Sequence, residues 1–387
     1  MRRINSIDFV RGLVMVIMAL DHTRDLMHIN SLTQNPTDLT TTTAGIFLTR
    51  WITHLCAPTF VFLSGASAYI SLKNSNNLAE SKRFLLSRGI WLIILEFTII
   101  NFALWFDIHF RTLMMQVICA IGAGFVVLSF LLKISPRNIG IAGLGIIFSH
   151  NLLQGISFSQ NPSLNFVSSV FFAPNFFQIT PNFAFLVSYP IIPWLGILLL
   201  GYGFGHFFAI PPEKRKRLFL QFGLGSLLLF VLLRFINIYG DPVKWAAQKT
   251  PLFTFFSFIN VTKYPPSLLY TLVTLGIMFL VLWLVDGMKN KLIDIFSVYG
   301  KVPLFYYLIH WYLVHSLMLV MLFTQGFGWK DLNFAPFSFG RPQVGEGFEL
   351  PVIYAIWLGV IIIMYPLCLW YGKYKAKHTD NKWLKYL

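Results

Sequence analysis

The residues best suited to chemistry stand together at the end of the first apolar segment. Five ionisable side chains fall within eight residues there: Asp21, His22, Arg24, Asp25 and His28. At about 1.5 Å per residue, Asp21 and His22 lie about 18 Å along a helix from Phe9, past the middle of a hydrocarbon core about 30 Å thick. Ionisable groups at such depth are costly and usually face a bundle interior or a wet cavity, where they have a function. We interpret the cluster as half of a candidate active site.

The spacing within this cluster predicts which side chains meet. Asp21 and His22 are adjacent and point about 100° apart on a helix, so they do not share a face. His22 and Asp25 are three residues apart, and Asp21 and Asp25 are four apart, so each pair can meet. A carboxylate beside an imidazole fixes its tautomer and raises its basicity, so we expect Asp25 to orient His22 as a general base. The alternative is a structural polar cluster that pins this helix to its neighbours.

The second apolar segment carries two further polar residues near the same depth. His54 lies about 12 Å below Ile46 along a helix, close to the predicted level of His22. It is either a second catalytic candidate or a core histidine whose hydrogen bonds are satisfied. Arg50, one turn above His54, is predicted to form a structural ion pair with Asp21 or Asp25.

Two more ionisable residues fall inside apolar segments further along the chain. Glu96 lies about 12 Å in from Arg88 along the third segment. His310 lies near the middle of the ninth, KVPLFYYLIHWYLVH (301–315), among aromatic residues that pack or stack on a ligand.

Zinc-binding HExxH, the CxxC pair and the phosphate-binding GxxxxGK[ST] motif are missing from the sequence. The spacing of the histidines indicates no metal site.

The composition is that of a membrane protein. Apolar residues make up 56% of the chain and charged residues only 12%, which is too little polar surface to cover a soluble core. The net charge of +15 does not indicate nucleic-acid binding, because the positive charge lies in short connections on one side of the predicted spans. The three cysteines, all in apolar segments, are expected to be core-packing residues rather than disulfide partners.

Repeated apolar runs of about 20 residues predict a single all-α domain over residues 1–387, a polytopic bundle of about ten transmembrane helices. The predicted spans cover about 8–28, 46–72, 88–106, 112–132, 138–157, 184–208, 217–238, 266–286, 302–323 and 351–372. Small-residue runs at 64–68, 140–145 and 196–205 are expected to let helices approach closely in lipid.

The distribution of basic residues predicts the orientation of the chain. The N-terminal arginines and the connections after every second span hold 21 of the 30 Lys and Arg, and the opposite side holds nine. Basic residues concentrate on the cytoplasmic side, so both termini are predicted to be cytoplasmic. The expected location is the inner, cytoplasmic membrane of the cell.

Several stretches resemble the transmembrane acyltransferase superfamily. SIDFVRGLVMVIMALDH (6–22) is similar to its opening helix. The other stretches resemble its heparan-alpha-glucosaminide N-acetyltransferase-like bacterial branch: THLCAPTFVFLSGASA (53–68), YPIIPWLGILLLGYGFG (189–205), KYPPSLLY (263–270), GKVPLFYYLIH (300–310) and the final NKWLKYL. These stretches keep their order from one end of the chain to the other.

The resemblance implies a membrane enzyme that takes an acyl group, most simply acetyl, from cytoplasmic acyl-CoA. The acceptor would be an amino sugar or glycan on the far side. His22 matches a histidine that is implicated in catalysis in acyltransferases of the superfamily. The lysosomal branch has asparagine at that position and its proposed catalytic histidine in the following loop, where this chain has His28.

These expectations assign a role to each candidate residue. His22 is the predicted general base, with Asp25, His54 and Asp21 as the other catalytic candidates. On the donor side, Arg11, Arg88 and Lys301 are expected to hold the CoA phosphates, because cations bind phosphate by charge. Glu96 and His310 are the other two residues predicted to bind the acyl-CoA donor. Direct transfer in a ternary complex and an acyl-histidine intermediate are both compatible with these residues.

Two other functional classes also fit the polar residues. Intramembrane Asp, His and Glu suit a proton-coupled transporter or flippase of a polar or lipid-linked solute. A non-catalytic membrane scaffold would tolerate loss of the whole cluster. A homodimer is left open.

Overall fold

The computed structural model describes residues 4–153, 161–342 and 346–386, and most of these residues are helical. The helices are α1 (Asn5–Met27), α2 (Ala44–Ile52), α3 (Cys56–Ser75), α4 (Leu78–Leu95), α5 (Asn101–Trp105), α6 (Val117–Leu131), α7 (Pro136–Ser149), α8 (Pro162–Phe172), α9 (Ile191–Phe204), α10 (Pro212–Ile236), α11 (Pro251–Ile259), α12 (Leu268–Val285), α13 (Lys291–Gly300), α14 (Pro303–Thr324) and α15 (Leu350–Lys377). The strands are β1 (Thr112–Met115), β2 (Asn175–Thr180) and β3 (Phe183–Val187).

Seven helical segments of the described chain are long and apolar enough to cross a membrane. They comprise residues 44–75, 78–105, 191–209, 212–236, 268–285, 303–324 and 350–377. This confirms the prediction of an all-α polytopic membrane protein. The other three predicted spans correspond to α1, which is rich in charge, and to the shorter helices α6 and α7. The last predicted residues of the fifth span, 154–157, lie outside the described residues.

Several predicted span boundaries are wrong. The third span begins at Leu78 rather than near residue 88, so its basic residues lie on the helix itself. Residues 112–115 and 184–187, predicted as helix, lie in β1 and β3, which pair in parallel, while β2 pairs antiparallel with β3. Short apolar runs of this kind are compatible with either element, because periodicity alone does not separate a strand from a helix end.

Helix α1 lies inside the bundle, against α3, α12, α13, α14 and α15. Most of its residues are buried, including Asp8, Asp21 and Arg24. A helix with several charges is poorly suited to face lipid, whereas neighbouring helices can supply ionic and hydrogen-bonding partners. The polar cluster at its end is therefore enclosed by other helices.

The predicted small-residue contacts are confirmed where α9 packs against α3 and α7. A Cβ atom added to Gly65 would lie 2.0 Å from the carbonyl oxygen of Leu198. One added to Gly143 would lie 2.6 Å from the carbonyl oxygen of Gly196. The helix backbones are thus close enough that only glycine fits at these two positions.

Two spanning segments contain irregular turns beside candidate residues. A single 3₁₀ turn, Thr53–Leu55, separates α2 from α3 and carries His54. A π-helical turn, Glu96–Ile100, separates α4 from α5 and begins at Glu96. Such turns inside helices change the direction of side chains and often occur at functional sites.

Candidate active site

His22 and His310 form a direct pair between α1 and α14. The His22 Nδ1 atom lies 2.7 Å from the His310 Nε2 atom. The two rings are inclined by only 21°, and the indole of Trp311 stacks on His22 with ring centroids 3.9 Å apart. His310 is fully buried, whereas His22 keeps partial exposure. The structure thus brings His310, predicted as a donor-side residue, to the candidate base.

Asp21 is the centre of a buried ion network. One carboxylate oxygen accepts from Arg24 Nη2 at 2.7 Å, and the other accepts from Arg50 Nη1 at 2.8 Å. Arg50 also donates to the hydroxyl of Thr53 at 3.1 Å. The predicted ion pair between Arg50 and Asp21 is confirmed. Because both of its oxygens are bound by arginines, Asp21 ties the end of α1 to α2.

The expectation that Asp25 orients His22 is wrong. The carboxylate of Asp25 binds the guanidinium of its neighbour Arg24, and its side chain is 48% exposed. An arginine with a full charge is a stronger partner for a carboxylate than a neutral imidazole, so Arg24 takes the carboxylate. His22 Nδ1 binds His310 instead.

His54 lies in the bundle core, packed against Tyr270. The rings are 5.5 Å apart and nearly perpendicular, and the Tyr270 hydroxyl donates to the backbone carbonyl of His54 at 2.9 Å. His54 Nδ1 is buried and has no hydrogen-bond partner among the described residues. A buried nitrogen without a partner is costly, so one polar atom of His54 is left unsatisfied by the described residues.

Lys263 is a buried cation to which the sequence assigned no role. It lies in the KYPPSLLY stretch, with its ammonium 5.0 Å from the ring centre of Tyr264 and near enough to Asp21 and His22 for an electrostatic interaction. Asp241 holds this stretch in place, because its carboxylate accepts hydrogen bonds from the Thr262 backbone and the Ser267 hydroxyl. In the sequence, only the position of this lysine just before a predicted apolar span could have indicated that it lies near the site.

A cavity of about 600 Å³ lies on the side of the bundle where α3 meets α4. Three basic residues line it, Arg11, Arg88 and Lys375, and Arg11 donates to the Ser67 hydroxyl. Four serines on one face of α3 form a polar strip along its wall: Ser64, Ser67, Ser71 and Ser75. Their spacing of three and four residues is the signal by which sequence reasoning could have found them.

Met15, Val117 and Tyr307 also line this cavity. The Tyr307 ring lies 5.6 Å from the ring of His310, which in turn contacts His22. The same cavity is therefore lined by three basic residues and by a tyrosine that neighbours the histidine pair.

Three residues predicted to bind the donor do not line this cavity. Lys301 is exposed at the junction between α13 and α14. Glu96 is fully buried and accepts the Cys119 backbone N–H at 2.9 Å, which places its carboxylate at the start of α6. The Glu96 side chain thus satisfies a backbone N–H that would have no partner within the first turn of α6. His310 is the third, and its side chain belongs to the pair with His22.

A small polar pocket of about 20 Å³ lies beyond the opposite end of the cluster. Arg24, Asp25 and His28 line it together with polar residues of the following loop, namely Asn30, Ser31, Gln34, Asn35 and Thr42. Amides, hydroxyls and charges in one recess can bind a polar group by hydrogen bonds. His22 thus lies between an extended cavity on one side and a polar recess on the other.

Comparison with known sequences identifies one family. The family model described as heparan-alpha-glucosaminide N-acetyltransferase, catalytic, matches residues 3–232, which is more than half of the chain. The matched region includes His22, Arg50 and His54, and it ends before Lys263 and His310. No curated protein sequence matches the chain significantly.

Proposed function

The chain belongs to the heparan-alpha-glucosaminide N-acetyltransferase catalytic family, and we propose that it moves an acetyl group across the membrane plane. The donor is cytoplasmic acetyl-CoA or another acyl-CoA, and the acceptor is an amino sugar or glycan on the opposite side. The observation that carries this proposal is the cavity of about 600 Å³ whose lining includes three basic residues and Tyr307, the neighbour of the His22–His310 pair.

The shape and chemistry of the cavity suit an acyl-CoA. Arg11, Arg88 and Lys375 at its rim provide the positive charge that phosphates require. The serine hydroxyls of α3 offer hydrogen bonds to the amide-containing arm. Apolar side chains such as Met15 and Leu304 also line the cavity and can pack against a short acyl chain.

The polar recess beyond Asp25 offers the acceptor a point of attachment. Its amides and hydroxyls are groups that bind sugar hydroxyls, and at about 20 Å³ it takes a single hydroxyl or amine of the acceptor while the sugar ring lies outside it. Donor and acceptor then reach His22 from opposite sides. Such an arrangement allows direct transfer without either substrate crossing the protein.

His22 is the general base of this reaction. As the acceptor nitrogen or oxygen attacks the thioester carbon, its proton passes to His22 and the carbon–sulfur bond breaks. His22 then returns the proton to the departing thiolate, so that the products are the acylated acceptor and free CoA. The cations Arg24, Arg50 and Lys263 outnumber the carboxylates Asp21 and Asp25, which favours negative charge on the thioester oxygen during attack.

The test uses the purified protein in lipid vesicles with labelled acetyl-CoA and a panel of amino sugars. His22→Ala should lower kcat by about 100-fold or more, the usual contribution of a positioned base, while acetyl-CoA binding changes little. His206→Gln is the matched control, because His206 binds the Gly203 carbonyl at the far end of α9.

Equal transfer rates for His22→Ala and the unaltered protein would contradict the assignment of the base. A protein that binds no acetyl-CoA, yet takes up solute into vesicles, would contradict the enzyme proposal and favour a transporter.

A further inference from the structure

We propose that His310 is the positioning residue for His22, holding its imidazole in the tautomer whose Nε2 atom is free to take a proton. This role rests on the proposed function of His22 as a base. It replaces the donor-side role that the sequence suggested for His310. It also replaces the orienting role that the sequence suggested for Asp25.

The hydrogen-bond directions follow from one backbone carbonyl. His310 Nδ1 lies 3.0 Å from the carbonyl oxygen of Tyr306. A carbonyl only accepts, so Nδ1 of His310 carries the hydrogen and donates it. A neutral imidazole has a single N–H, which leaves His310 Nε2 as an acceptor. His22 Nδ1, 2.7 Å away, must therefore be the donor, and His22 Nε2 keeps its lone pair.

The surroundings hold both rings in this arrangement. The rings are inclined by 21° with their centroids 5.0 Å apart, so the two nitrogens face each other and the rings do not overlap. Trp311, the next residue of α14, covers one face of His22 at 3.9 Å. His310 has no exposed surface, so its ring has little room to rotate. One helix thus supplies both the hydrogen-bond acceptor and the stacking surface.

The nearby carboxylates are engaged elsewhere. Asp21 binds Arg24 and Arg50 through its two oxygens, and Asp25 binds Arg24. His310 therefore takes the place that a carboxylate occupies beside many catalytic histidines. When His22 accepts a proton, its Nδ1–H bond to His310 becomes charge-assisted and stronger, which stabilises the imidazolium.

The first experiment compares two substitutions of His310 in the vesicle assay. His310→Phe removes the acceptor and should lower kcat by about 10- to 100-fold, a usual effect of losing a histidine's orienting partner, with little change in KM for acetyl-CoA. In His310→Gln the amide oxygen can accept the same bond, so most of kcat should return. His315→Gln is the control on the same helix, since His315 is equally buried but binds the carbonyl of Ala103.

A kcat for His310→Phe equal to that of the unaltered protein would overturn the proposal. So would a His310→Gln variant as slow as His310→Phe, because a purely structural role gives no rescue by a hydrogen-bond acceptor.

A second experiment does not depend on transfer activity. The ¹⁵N NMR shifts of imidazole nitrogens separate protonated from unprotonated atoms, and the His22 signals are those that vanish in His22→Gln. We expect a protonated Nδ1 and an unprotonated Nε2, with both tautomers populated in His310→Phe. The opposite tautomer in the unaltered protein would overturn the proposal. If the unaltered protein shows the expected shifts but transfers no acetyl group, the proposed function is overturned instead.

Discussion

At the scale of single residues, the buried charge of Asp21 joins two helices. Its two oxygens bind arginines from two different helices, and both Asp21 and Arg24 are more than nine-tenths buried. A buried arginine whose carboxylate is removed leaves an uncompensated charge, which destabilises a protein far more than loss of an exposed pair. Asp21 therefore holds the end of α1 to α2 beside the candidate base.

Replacement of Asp21 by asparagine should be strongly destabilising. We expect a loss of about 3–5 kcal/mol, the usual result of breaking a buried ion pair from one side, seen as a lower midpoint of thermal unfolding in detergent. Asp25→Asn is the matched control on the same helix. Its partner is the same Arg24 but its side chain is half-exposed, so its loss should be below about 1 kcal/mol. Equal losses for the two variants would contradict this ranking.

Local sequence spacing was enough to predict the contact partner of some of these residues but not of others. The pairing of Arg50 with Asp21 was predictable, because depth along two helices and opposite charge suffice to choose the partners. The partner of His22 was not, because three-residue spacing permits a contact with Asp25 but does not exclude competition from Arg24. The actual partner of His22 is His310 of α14, which lies nearly 300 residues away in the chain.

At the scale of elements, the close contact between α1 and α13 positions the entry to the cavity. A Cβ atom added to Gly12 would lie 1.8 Å from the carbonyl oxygen of Phe296, and one added to Gly300 would lie 1.8 Å from that of Asp8. The two backbones touch at these points. Because Arg11 precedes Gly12, this contact also places Arg11 at the rim of the cavity.

Gly12→Ala should therefore destabilise the protein although alanine is the better helix former. The added methyl group has no space, and overpacking of this kind costs about 1–3 kcal/mol or more. Gly145→Ala is the control, because nothing lies within 4 Å of a Cβ atom there and the substitution should be neutral or stabilising. Thermal unfolding of both variants in detergent measures the difference. An unchanged midpoint for Gly12→Ala would show that the helices can separate without cost.

The long apolar helices were predictable as elements, and the short ones were not. Segments such as 268–285 and 303–324 agree closely with their predicted spans, because lipid demands about 20 apolar residues in a row. Helices α8, α11 and α13, of nine to 11 residues, were missed. Their formation depends on packing against the bundle, since helices of this length are marginal alone.

At the scale of the whole molecule, the positions of the two openings suggest how both substrates reach one site. The basic cavity and the polar recess lie on different sides of the His22 cluster. If both termini are cytoplasmic, the cavity faces the cytoplasm and the recess faces the other side. The charge distribution that predicts this orientation is therefore also a prediction about where donor and acceptor enter.

Single cysteines on opposite loops test this orientation. The native cysteines Cys56, Cys119 and Cys368 are buried, so they should not react. In sealed right-side-out vesicles, an impermeant maleimide should label Lys330→Cys at once and Lys214→Cys after the vesicles are opened. Both positions are exposed in the structure, so their difference reports only the side of the membrane. The reverse pattern would contradict the predicted orientation.

The amino-acid sequence by itself determined the class of protein and where its polar residues fall. Apolar composition and run length predict a membrane bundle because unpaired backbone groups are excluded from lipid. The glycines at 65 and 143 predicted close helix contacts for an equally local reason, since no side chain is present to separate the backbones.

Only the tertiary structure decided which of these residues form one site. The pairing of His22 with His310, the approach of Lys263 and the exclusion of Glu96 and Lys301 from the cavity all depend on how distant helices pack. A helix sequence specifies the face on which a side chain lies, but the atoms opposite that face come from elsewhere in the chain. In this protein those atoms lie on α14 and in the segment 263–270, and they give the candidate base its hydrogen-bond partner and its charged surroundings.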